Sequence, residues 1–202
     1  MTSRNPQQTR DNLVQTAFQE IHRHGFQGMR VDEVLRLSGL RKGAFYHHFS
    51  SKTALGYAVV EEQIRPLVRS IWLEPLAAMD DPVRELPRML DALPERIPPM
   101  MREHGCPLNN LAQEMVDQDD GFRQRLLEVL NEWIDALEAT VERGKIQGYL
   151  RDDIDSRAVA RFIVAALEGC IGLAKVDRSP EQWNACRSQI AGYLETLRPV
   201  AG

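Results

Sequence analysis

Residues 31–55 read VDEVLRLSGLRKGAFYHHFSSKTAL, and the reading of this stretch decides the fold. Segments 31–38 and 42–49 are each about two helical turns long and are joined at Gly39, the spacing of a helix-turn-helix. Gly39 supplies the left-handed backbone that a sharp turn needs. Val34 and Leu40 can pack between the two helices, and Phe45 and Phe49 can anchor the second helix to the first. Lys42, Gly43, Ala44, Tyr46, His47 and His48 are left to face outward or to flank that face. Small residues at 43 and 44 let the helix N-terminus approach a DNA duplex, where backbone N–H groups bind phosphate, and the side chains at 46 and 47 reach phosphates or base edges.

Working outward, Leu13, Val14, Ala17, Phe18 and Ile21 form one helical stripe over 6–24, with Gly25 as its stop. Ser51 caps a helix that runs through Leu55, Val59 and Glu62 towards Pro66 and connects this head to a larger body. Prolines between 82 and 107 predict short or kinked pieces there, and 108–116, 122–146, 156–176 and 180–197 read as helices. No segment between the prolines alternates with the period of a strand. The architecture is therefore expected to be all-α: an N-terminal helix-turn-helix head of three helices, residues 1–50, joined to a helical effector-binding and dimerisation body, residues 51–202.

Charge divides the same way. Residues 1–60 hold eight Lys/Arg against four Asp/Glu, a net of +4, whereas the remainder carries −8. A basic head on an acidic body is expected to present only the head to a polyanion. With 43% hydrophobic and 27% charged residues the chain is globular, not disordered or fibrous. No stretch is long and apolar enough to span a bilayer and residues 1–10 are polar, so no membrane partner and a cytoplasmic location are expected. Cys106, Cys170 and Cys186 are odd in number and far apart, without a CxxC, which indicates neither a disulfide framework nor a zinc knuckle. They are expected to be thiols.

The segment 31–55 resembles the DNA-binding signature of TetR-family transcriptional regulators. Gly39, Lys42, Gly43, Tyr46, His47, Phe49, Ser51, Lys52 and Leu55 all fall in place. The resemblance covers about residues 10–60 and implies that Lys42, Ala44, Tyr46 and His47 lie at the DNA surface and that Lys52 holds a phosphate. Three positions depart from the family pattern: Arg30 and Arg41 replace hydroxyl residues that cap the two helices, and Ala44 replaces Ser or Thr. A lost cap costs on the order of 1 kcal/mol. In exchange both arginines add cations that can reach phosphates, so Arg30, Arg41 and Gly43 join the expected interface.

One helix-turn-helix contacts too few bases for discrimination, so a homodimer on a double-stranded, palindromic operator is expected. Segment 156–176 is apolar on two faces, and Ala165, Ala166, Gly169 and Gly172 allow a partner helix close approach. With the stripe Trp183, Cys186, Ile190, Tyr193 and Leu197 it marks 156–197 as the pairing surface, and the resemblance implies a four-helix interface there.

The remaining distinctive segment, Gly105 to Ala112, resembles the Gly-Cys-(Leu/Pro)-x-x-Asn-Leu stretch of a TetR branch that includes repressors responding to electrophiles and oxidants. Pro107 suits a first helical position, which sets Cys106 at the N-cap, where the helix dipole favours a thiolate. Cys106, Asn109, Trp133, Phe162 and Lys175 are the sensor candidates. Two accounts stay open: a reactive Cys106, with Lys175 as a possible neighbour, or a packed Cys106 beside a pocket for an apolar ligand lined by Trp72, Met100, Trp133 and Phe162.

Metal and catalytic readings fail. Asp117, Asp119, Asp120 and Gly121 do not fit a calcium loop, His47-His48 lacks zinc spacing, and Asp120 and Asp155 serve better as helix starts. No catalytic constellation, cofactor loop or metal site is expected. The function expected is a DNA-binding regulator, most simply a repressor released by a small-molecule or thiol-reactive effector. The competing reading is a helical small-molecule-binding or scaffolding protein that does not bind DNA.

Overall fold

The computed structural model describes residues 5–199, and its regular elements are helices. The chain folds as two compact units. The first holds the chain up to Leu67 together with Pro107–Glu128, and the second holds Val68–Cys106 and the chain from Val129 onward.

In the first unit, α1 (Pro6–Gly28) starts at Asn5, whose side chain accepts from the Gln7 N–H at 3.0 Å, and buries Leu13, Val14, Ala17 and Ile21. Helical geometry breaks at Gly25, where φ is 76° and ψ 165°. The N–H groups of Phe26 and Gln27 that the break exposes each donate to the Glu114 carboxylate at 2.7 Å. Helices α2 (Val31–Ser38) and α3 (Lys42–His48) follow, each with an arginine N-cap and no side-chain cap bond. Asp32 and Glu33 in the first turn of α2 partly compensate through the helix dipole. Gly39 ends α2 in the left-handed conformation, φ 66° and ψ 30°, and the Leu40 N–H reaches back to the Leu35 carbonyl at 2.9 Å. Asn12 donates to the Ser38 carbonyl at 3.1 Å and ties α1 to this turn.

Ser51 caps α4 (Lys52–Val59) by accepting from the Ala54 N–H at 3.0 Å. The connector does not stop at Pro66. Val60–Ile64 is a π-helical turn, closed by the Arg65 N–H on the Val60 carbonyl, and helix α5 (Arg65–Val68) contains the proline. The wider turn relieves the ring clash and the missing donor that Pro66 brings to an α-helix. Also in this unit are α9 (Pro107–Met115) and the start of α10 (Asp120–Ile146). The start of α10 is fixed one residue earlier than expected, because Asp119 and not Asp120 accepts the Phe122 N–H, at 2.9 Å. Asp119 also receives the Tyr57 hydroxyl at 2.6 Å, which holds its pKa below the usual carboxylate range.

The second unit repeats the proline device, with a π-helical turn at Arg69–Leu73 ahead of Pro75 in α6 (Glu74–Ala77). Pro87 and Pro94 do not fragment the next element. Helix α7 (Pro82–Arg96) is continuous over 15 residues, started by Asp81, which accepts from Val83 and Arg84. Its apolar face, Val83, Leu86, Met89, Leu90 and Leu93, is fully buried, and that burial outweighs the two lost backbone bonds. Arg143 and Thr140 donate to the Leu76 carbonyl, and Arg143 also to that of Met79, which caps the end of α6. Asp155 caps α11 (Ser156–Asp177) through the Ala158 N–H at 3.0 Å. Helices α8 (Pro99–His104) and α12 (Pro180–Glu195) complete the unit.

The expectation of three thiols is corrected here: Cys170 and Cys186 form a disulfide, with Cα atoms 5.8 Å apart. Helices α11 and α12 make a hairpin, and the two cysteines each lie about two turns from its corner. Rules based on cysteine number and CxxC spacing do not register a pairing that a helical hairpin creates.

Gly56 gives the first unit a measurable pressure point. A Cβ there would lie 2.5 Å from Phe26 Cε2 and 2.6 Å from Phe122 Cζ. Gly56→Ala is expected to destabilise the protein by about 1–3 kcal/mol, seen as a lower urea midpoint at unchanged slope. An unchanged midpoint would show that the contact yields freely.

Candidate DNA interface and sensor site

The turn at Gly39 and the anchors Phe45 and Phe49, both buried, orient α3 so that its other side is open. Lys42, Gly43, Tyr46 and His47 are exposed, Tyr46 to 59% with its ring edge-on to Phe45 at 5.1 Å. Ala44 and His48 are half-buried. A Cβ at Gly43 would meet nothing within 4 Å, so packing inside the protein does not demand this glycine. Arg30 and Arg41 stand exposed at the N-caps of α2 and α3. Burial, then the neighbouring His47 and Arg10, lower the His48 pKa.

Lys52 makes contacts within the protein that its sequence neighbours did not announce. Its ammonium donates to the Gln27 carbonyl at 3.1 Å and sits 4.8 Å above the Phe26 ring. Burial lowers its pKa and the Glu114 charge opposes the shift. Arg10 pairs with Glu62, which raises the Arg10 pKa, and lies 5.2 Å from the Phe49 ring centre. Glu62 and Glu114 are 52 and 87 or more residues from their partners, so no local pattern could have shown either contact.

The sensor candidates do not form one cluster. Trp133 is fully buried and stacks on Trp72 at 4.5 Å, whereas Phe162 is half-exposed on α11 against Tyr193 at 4.6 Å. Asn109 is half-buried on α9 and accepts from Gln113 at 3.4 Å. Cys106 is buried directly before α9. Lys175 packs its stem beside Gly105, where a Cβ would fall 3.2 Å from Lys175 Cδ. Lys175 and Trp72 both line a cavity of about 580 Å³ between α7–α8 and α11–α12; Met101 lines it, in place of the expected Met100.

Glu168 was not anticipated. It lies on α11 with both carboxylate oxygens buried, and neither meets a donor at full hydrogen-bond geometry. Burial pushes its pKa up to about 7, and the neighbouring Cys106 thiol pulls it back only in part. The signal for it, a lone Glu in an apolar helix, is present in the sequence at 156–176.

A recognition helix held outward on a tight glycine turn defines a helix-turn-helix DNA-binding protein. Residues 13–59 match the bacterial regulatory proteins of the tetR family, and residues 85–190 match the tetracyclin repressor-like C-terminal domain. The chain belongs to the TetR family and is a DNA-binding transcriptional regulator. It is 29% identical over 172 residues to the HTH-type transcriptional repressor DhaR of Mycobacterium sp. (strain GP1), covering 85% of each chain. It is 28% identical over 170 residues to the transcriptional regulator AcuR of Cereibacter sphaeroides, covering 84% of this chain and 78% of that one. A TetR transcriptional regulator from Chloroflexus aurantiacus superposes with a TM-score of 0.84 at 26% identity, covering 98% of this chain and all of the other. Among the described residues no helix is long and apolar enough to cross a membrane.

Glu168 makes stability depend on pH. Because its folded pKa is raised, its favourable contribution is complete below about pH 4.5 and is lost as pH rises through about 7. The loss is up to about 3 kcal/mol. Glu168→Gln is expected to flatten the decline of melting temperature between pH 5 and 8 relative to the native chain. Parallel profiles for the two proteins would count against the buried carboxyl.

Proposed function

We propose that the protein is a homodimeric repressor that reads a palindromic operator through Arg30, Arg41, Lys42, Gly43, Ala44, Tyr46, His47 and Lys52 of each copy. DNA reading is assigned to residues 1–50, and effector binding and dimerisation to 51–202. The observation that carries the reading is the outward face of α3, where Lys42, Tyr46 and His47 surround a glycine that nothing inside the protein requires. DhaR is named a repressor, and repression is the direction assigned to this chain.

Dimerisation is assigned to α11 and α12. Phe162, Ala165, Gly169, Leu173 and Val176 recur at helical spacing and all are exposed, Val176 to 83%. Open space lies where Cβ atoms would stand at Gly169, Gly172 and Gly192, which lets a second copy come close. Release from the operator is assigned to a small molecule in the cavity of the second unit. A thiol-reactive effector is the second reading, favoured by the contact of Cys106 with Glu168: near neutral pH the carboxylate can accept the thiol proton as sulfur attacks an electrophile. Cys106→Ser decides between them, since it abolishes release by an electrophile and leaves release by a reversible ligand intact.

A mobility-shift assay with DNA flanking the protein's own gene tests the main reading, and no saturable binding at low salt would end it. Lys52→Ala is expected to weaken all sequences alike and to lower the salt slope by about one unit, while Tyr46→Ala changes sequence preference. If Lys52 only braces Gln27, the salt slope stays put and the melting temperature falls.

Sedimentation is expected to give about twice the 23.0 kDa chain mass. Gly169→Glu leaves each monomer folded, because its Cβ meets open space, and dissociates the pair. A monomeric native chain at micromolar concentration would remove the basis for two-headed binding.

A further inference from the structure

We propose that the cavity of the second unit takes an amphipathic organic anion, a carboxylate on an apolar body. This rests on reading that unit as effector-binding and names the chemical class of the effector. The cavity, about 580 Å³, lies inside the range of about 300–1,000 Å³ that holds small organic ligands. Its walls are apolar and partly aromatic: Trp72, Leu93, Ile97 and Met101 on one side, Ile171 and Trp183 on the other. Such walls select a hydrocarbon or ring system and exclude a sugar or a free inorganic anion.

The charged members of the lining are three cations, Arg102, Lys175 and Arg178, against one carboxylate, Glu103. Beside low-dielectric walls these charges act more strongly on a ligand than they would in water, and they favour an anionic end. Arg102 is held in place, donating to the Pro94 carbonyl at 3.3 Å. Arg178 adds an independent observation. It is the one non-glycine residue with positive φ among the described residues, 56°, at the end of α11, where glycine or asparagine would sit with less strain. At a position that disfavours a side chain, this arginine adds a cationic residue to the cavity lining.

The test uses the full-length protein with 2-naphthoate, decanoate and the neutral 2-naphthalenemethanol, read by tryptophan fluorescence, since Trp72 and Trp183 stand in the wall, and by calorimetry. Both carboxylates are expected to bind one per chain, and 2-naphthoate about tenfold more tightly than the alcohol. Arg178→Gly suits the backbone and so keeps the fold; it is expected to weaken the carboxylates about fivefold or more and leave the alcohol unchanged. Arg102→Gln provides the same readout at a second cation.

Equal affinity for acid and alcohol, no binding of either acid up to millimolar concentration, or an acid-to-alcohol ratio unmoved in both variants would overturn the proposal. Binding of 2-naphthoate without release of operator DNA would instead count against the effector reading, so the two failures are distinguishable.

Discussion

A helix that breaks and resumes leaves the first N–H groups after the break without partners in the helix, and in this protein the solution to that problem organises the DNA-binding head. At Gly25 the first helix breaks, and the carboxylate of Glu114 takes the two N–H groups of Phe26 and Gln27. A side chain at position 25 would collide with that carboxylate, since a Cβ would lie 2.8 Å from its Oε2. The carbonyl of Gln27 in turn receives Lys52, and the Phe26 ring fills the space that Gly56 leaves open. Six residues from three helices are thereby fixed around one corner, and the start of α4 inherits its position from it. Because the corner is closed by a carboxylate on α9, the head is completed by a segment that lies 87 residues further along the chain.

Much of this was legible in the sequence, and the reasons differ by residue. Gly39, Phe45, Phe49 and Ser51 act within a few residues of themselves, so their spacing alone fixes a turn, two anchors and a cap. The arginines at 30 and 41 announce uncapped helices, because the residue type at an N-cap decides whether a side-chain bond can form. Proline misled, since its penalty is local whereas its remedies, a π-helical turn before Pro66 and a long buried face around Pro87, depend on tertiary packing. Glu114 and Glu62 were illegible as partners: an acidic residue on a helix reads as solvated until its opposite number across the fold is known. The sensor candidates dispersed for the same reason. Trp133 and Phe162 share an apolar character, yet one is core and the other surface, and only packing distinguishes them.

The disulfide bears on the cavity in a way that neither feature shows alone. Ile171, Ala174, Lys175, Arg178, Trp183 and Asn184, which line it from α11 and α12, all fall between Cys170 and Cys186. The cross-link therefore makes a covalent ring of that wall. For a loop of this size the closure removes on the order of 3 kcal/mol of chain entropy from the unfolded ensemble. A ligand meeting this hairpin finds a preorganised template, with the ordering of its corner and of the Arg178 backbone already accomplished by folding. Association then loses less to immobilising the receptor, and selectivity among ligands is governed by how well they match a fixed contour.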